Sequence, residues 1–109
     1  MIKFPKIILN LPEANVPLEG AKGYLSQSDE HQIIFLEFKK DVELPEHEHE
    51  DQWEYVMNGK VELWIDGIKN SYKKGDNFFI PQGVKHSGKI YAGYKSIAFF
   101  NQKERYKKK

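Results

Sequence analysis

Short strand-like runs recur along the chain at Gln32 to Phe38, Gln52 to Met57, Val61 to Ile65, Phe78 to Ile80 and Lys95 to Phe100, separated by Gly, Pro, Asn and Asp. The repeat of three to four residues that marks an amphipathic helix is almost nowhere present, so the pattern predicts an all-β fold. Two turns are especially legible. Asn58-Gly59 precedes Val61-Glu62-Leu63-Trp64-Ile65, and Asp66-Gly67 follows it. Both dipeptides suit a type I′ turn, whose two central residues need positive φ. They predict a three-stranded meander in the middle of the chain, with Val61, Leu63 and Ile65 on one face and Glu62 and Trp64 on the other. Pro12 and Pro17 lie within Leu11 to Leu18 and predict an extended arm there, since proline cannot donate to a helix ladder.

With 109 residues the chain suffices for one domain with one core. Aromatics make up 14% of it, which suits strands with bulky packed faces. There is no cysteine, and Met1-Ile2-Lys3-Phe4-Pro5 has no long apolar stretch, so a cytoplasmic protein without a signal peptide is expected. No apolar run approaches the roughly 20 residues of a membrane-spanning helix. Seventeen basic and sixteen acidic residues leave a formal charge of +1, which gives no global field for nucleic acid. The basic excess gathers in Lys103-Glu104-Arg105-Tyr106-Lys107-Lys108-Lys109, read as a frayed, solvated terminus.

The chemistry gathers around the histidines. His47 and His49 are two apart, so in extended chain they project from the same face and can share a cation. Of the other two histidines, His86 follows a turn–strand–turn stretch from Gly75 to Lys85, a construction that can present one imidazole rigidly. His31, after Ser28-Asp29-Glu30, reads as an ordinary exposed strand residue. Taken alone, a His-x-His pair is more often a solvated polar pair than a metal site.

Together these segments resemble the two motifs of the cupin superfamily. The second motif has Gly, five residues, Pro, one residue, Gly, two residues and His, matched by Gly75, Pro81, Gly83 and His86. The first has His-x-His, then Glu or Gln, then Gly after six more residues. Counting back from Gly59 selects Gln52. Only Glu50 and Asp51 separate His49 from Gln52, whereas many members have four residues there, a spacing that would select Glu54. Ile90 stands where the family usually has Asn. The resemblance implies a cupin-type double-stranded β-helix, or jelly-roll barrel, as a single domain over 1–109, with an arm at 1–19, a core barrel at about 20–101 and a basic tail at 102–109. It also implies a homodimer, a reading that outward-facing Trp53 and Tyr55 support.

The ligand set implied is His47, His49, Gln52 and His86, around one divalent ion among Zn, Ni, Fe, Mn, Co and Cu. All four are neutral, so the ion would keep its full charge and favour an anionic ligand. Glu54, one strand step beyond Gln52, is the candidate general acid or base; the alternative is that it only hydrogen-bonds a ligand histidine or faces water at the barrel mouth. Two functions follow from the resemblance: a metalloenzyme acting on a small organic acid, enol or sugar derivative, or a non-catalytic module that binds or senses a small molecule. A nucleic-acid or membrane partner is not expected.

Overall fold

The computed structural model describes residues 3–109. One short helix, α1 (Lys6–Leu9), precedes ten strands: β1 (Glu13–Ala14), β2 (Ala21–Gln27), β3 (Gln32–Phe38), β4 (Val42–His47), β5 (Gln52–Asn58), β6 (Lys60–Ile65), β7 (Ile68–Lys73), β8 (Asn77–Ile80), β9 (His86–Ile90) and β10 (Lys95–Phe100). They form a six-stranded sheet in the order β1-β2-β3-β10-β5-β8 and a four-stranded sheet in the order β4-β9-β6-β7. Every strand pair is antiparallel. Among the described residues no helix is long and apolar enough to cross a membrane.

Alternation places the core. On β3, Gln32, Ile34, Leu36 and Phe38 are buried while Ile33, Phe35 and Glu37 are half-buried on the outer side. Val56, Val61, Leu63, Ile80 and Phe100 join the same core from both sheets. These two inner faces enclose the space in which the site lies.

The meander expected at β5–β7 does not form. Strand β5 pairs with β10 and β8, whereas β6 pairs with β7 and β9. The reason is visible in the backbone. At the β6–β7 connection both Asp66 (φ 50°) and Gly67 (φ 78°) are left-handed, as a type I′ turn requires. At the earlier dipeptide only Gly59 is (φ 75°), so the chain crosses between sheets instead of folding back. The crossing is tight: a Cβ on Gly59 would lie 2.8 Å from Tyr94 Cα. The Asn58 side chain anchors it by donating to the Gly93 carbonyl at 2.8 Å.

The basic tail is not frayed either. Lys108 bridges to Ala14, Asn15 N donates to Lys107 O at 2.7 Å, and Lys109 N donates to Glu13 O at 2.8 Å. Tyr106 packs edge-on against Phe100, 5.8 Å between ring centres. The charges conceal in the sequence an aromatic anchor that is worth more buried than solvated. The extended arm supplies the other half of this contact, with β1 lying along β2.

Candidate metal centre

His47 ends β4 and stands opposite His86, the first residue of β9; the β4–β9 register shifts between Leu44 and His47, where Pro45 cannot donate to the ladder. His49 lies in the short loop before β5. The turn of the second motif holds that loop in place. Val84 N donates to Pro81 O at 3.2 Å and Gly83 N to His49 O at 3.1 Å, with Gly83 at φ 75°. Asp51 accepts from Gln82 N at 2.7 Å, so this acidic flank latches the two motifs together.

The ring centres are 4.2 Å apart for His47 and His86, 4.7 Å for His49 and His86, and 5.3 Å for His47 and His49. One ligand-capable atom from each lies within 4.8 Å of the others, and no carboxylate among the described residues joins the group. Each Nδ1 meets a backbone carbonyl: Pro45 O at 2.9 Å, Glu50 O at 2.8 Å and Val84 O at 3.0 Å. A carbonyl can only accept, so Nδ1 carries the proton in all three rings and the lone pair sits on Nε2. Burial holds the His49 pKa down to about 4, and it also lowers that of His86; the Arg105 charge works in the same direction on both. Three neutral imidazoles with free Nε2 lone pairs suit a divalent cation of borderline softness.

Gln52 and Glu54 face inward from β5, 8% and 6% exposed. Gln52 Nε2 donates to Glu54 Oε1 at 2.7 Å, and the hydroxyl of Tyr94, itself wholly buried, donates to Glu54 Oε2. Burial raises the Glu54 pKa, opposed by these donors. Burial likewise pushes the Tyr94 pKa up, and the Glu54 carboxylate adds to the effect. His31 stays apart and stacks on Phe99 at 4.7 Å.

The histidines, Gln52 and Glu54 line one cavity of about 430 Å³, with an apolar wall that includes Leu36, Phe38, Leu63 and Phe78. Two lining residues, Arg105 and Tyr106, were missed in the sequence because a lysine-rich terminus reads as solvated. The only available signal was the aromatic in that run.

Comparison with known proteins identifies the family and the fold. A family model described as the cupin domain matches residues 34–92. A protein of Aquifex aeolicus (strain VF5) is 42% identical over 53 residues, 48% of this chain and 44% of that protein, so the match spans less than half of the relative. The crystal structure of an RmlC-like cupin from Shewanella frigidimarina NCIMB 400 superposes with a TM-score of 0.76 at 25% identity, covering 94% of this chain and 91% of the other. The oxalate decarboxylase of Bacillus subtilis, described with Mn(II) centres, superposes at 0.72 with 18% identity over 89% of this chain and 29% of that one.

Proposed function

Because the chain belongs to the cupin family, we propose that it is a metal-dependent protein that acts on a small organic acid, enol or sugar derivative. The observation that carries this reading is the convergence of His47, His49 and His86 with Nε2 free on each. Gln52 is the fourth ligand in this reading. Its Nε2 is engaged by Glu54, which turns its carbonyl oxygen into the remaining donor for a cation. The ion is a divalent transition metal that accepts imidazole, from Zn, Ni, Fe, Mn, Co and Cu; Mn(II) is the ion described for the Bacillus decarboxylase. When bound, it supplies Lewis acidity toward an oxygen of the ligand.

Glu54 then holds the proton. Burial raises its pKa, which favours the protonated carboxyl over the carboxylate, the direction a general acid needs. One observation favours the non-catalytic module instead: both Glu54 oxygens already accept hydrogen bonds, from Gln52 and Tyr94. In that reading Glu54 only positions Gln52. Outside the site, Trp53 and Tyr55 stack on each other and, with Phe79 at 54% exposure, leave an aromatic outer face. A second copy of the chain would cover it, which supports a homodimer. The lack of cysteine supports a cytoplasmic setting.

Elemental analysis of untagged protein should find about one metal ion per chain, and metal-free protein from replete cells would refute the reading. Gln52→Ala should weaken metal binding while Glu54→Gln retains it; loss of the ion from Glu54→Gln would make Glu54 the ligand. Turnover in a screen of carboxylates, phenols and sugar phosphates separates enzyme from module.

A further inference from the structure

Arg105 enters the cavity from the tail that follows the last strand. Its guanidinium carbon lies 4.6 Å from the Tyr106 ring centre and 5.5 Å from that of Phe100. The Phe100 ring in turn meets His49 edge-on at 5.3 Å, so the guanidinium sits at the histidine end of the space. Among the described residues it makes no ion pair, and its Nε is buried without a hydrogen-bond partner. A guanidinium carries five donors in a planar fork that matches a carboxylate, and a buried donor left unpaired is costly.

The tail is held so that this charge stays where it is. Gln32, 1% exposed, donates from Nε2 to Tyr106 O at 2.7 Å and accepts at Oε1 from Tyr106 N at 2.9 Å. The side-chain amide thus pairs with the backbone beside Arg105 as a neighbouring strand would. Gln27 Oε1 accepts the second Nε2 proton at 2.7 Å. Apart from the histidines, Glu48, Gln52 and Glu54, the wall includes Leu36, Phe38, Leu63, Phe78, Ile80 and Ile90, an apolar surface that suits a hydrocarbon body better than the hydroxyls of a sugar. Gln102, which also lines the cavity, has its Oε1 buried and unpaired.

We propose that Arg105 is the anion-recognition residue of this cavity, and that the ligand is an amphipathic monocarboxylate, its head group between Arg105 and the three histidines and its hydrocarbon body against the apolar wall. This narrows the function proposed above and rests on the same cavity, but the Arg105 contact is separable from the metal.

The probes are 3-phenylpropionate, 4-hydroxybenzoate and hexanoate, with 3-phenylpropan-1-ol as the uncharged control and acetate as the control without a body. Binding is measured by calorimetry on protein as isolated and after chelator treatment, with metal content determined for each sample. At least one of the three acids should bind, and 3-phenylpropan-1-ol and acetate should each bind about tenfold more weakly than that acid or worse. Arg105→Gln should lower the acid's affinity by about tenfold or more while leaving the alcohol's affinity and the metal content unchanged; Arg105→Lys should restore part of the loss. Failure of all three acids to bind, or an acid affinity indifferent to Arg105→Gln in folded protein, overturns the proposal. Protein that is metal-free as isolated from replete cells, yet binds the acid through Arg105, would overturn the metal reading and leave this one standing.

Discussion

Strand β5 presents different chemistry on its two faces. Inward, Gln52 and Glu54 are buried and tied to each other and to Tyr94, forty residues away in sequence. Outward, Trp53 and Tyr55 are 41% and 37% exposed and stack on one another. Adjacent residues thus differ in what they depend on. The inner pair is supported by partners from the other end of the chain, so a change there propagates through a polar network in a low-dielectric space. The outer pair leans on near neighbours and on whatever covers the sheet, so a change there stays local. Four predictions test this contrast, from the largest effect to the smallest.

His86→Ala should weaken metal affinity by about a hundredfold or more, since it removes a proposed ligand outright. Competition with a chelator of known affinity reads this directly. Trp53→Ser, only a few residues from the loop of His49, should leave the affinity unchanged. Equal losses in both variants would mean that the two faces are not independent.

Tyr94→Phe comes next. It removes the donor to Glu54 Oε2 and leaves a buried carboxyl with one partner, which should cost about 1–3 kcal/mol of folding stability. Urea titration measures it. The Glu54 pKa should rise further, because the Tyr94 hydrogen bond opposes the effect of burial. The matching outer change, Tyr55→Phe, should fall within about 0.5 kcal/mol of the parent.

How much of this contrast the sequence discloses depends on the kind of signal. Alternation along β5 separates Gln52 and Glu54 from Trp53 and Tyr55 before any coordinates, because the period of two is a local backbone property. The spacing of His47, His49, Gly83 and His86 likewise points to one site, since the motif encodes a turn as well as the imidazoles that come together there. The roles of Tyr94, Gln32 and Arg105 were not legible. Each acts through a long-range contact, Gln32 with Tyr106 being 74 positions apart, and neither composition nor spacing records such a pairing. Asn58-Gly59 shows the opposite failure. The dipeptide signals a left-handed residue correctly, but one left-handed residue also serves a crossing between sheets, and the difference lies in the φ of Asn58.

Acidification should divide the inner residues among themselves in metal-free protein. The His49 pKa is lowered, to about 4 against an ordinary 6.5. The unfolded chain therefore binds the proton first, and the stability present above 6.5 is lost as pH falls toward 4. The Glu54 pKa is raised above 4.5; here the folded chain binds the proton more tightly, and the stability present below 4.5 is lost as pH rises through the folded value. His49→Gln should flatten the loss on acidification, whereas Glu54→Gln should remove the loss on raising the pH. Melting temperatures across this range in the parent and the two variants check both signs. A shift of the same sign in both would contradict the assigned causes.

The smallest effect on the fold itself is expected from the outer face. Trp53→Ser removes one partner of an exposed stack, and surface changes of this kind alter the stability of a single chain by about 0.5 kcal/mol or less. Its effect on association should be larger than its effect on folding. The aromatics whose exposure makes them cheap to lose in a lone chain are those that a second copy would desolvate. Sedimentation equilibrium of the parent should return a dimer, and Trp53→Glu should shift it toward the single chain by placing a charge in a desolvated contact. Metal content should be the same in both variants and the parent. A parent that sediments as a single chain would leave the outer aromatics as ordinary surface, and loss of the ion from Trp53→Glu would tie the outer face to the site after all.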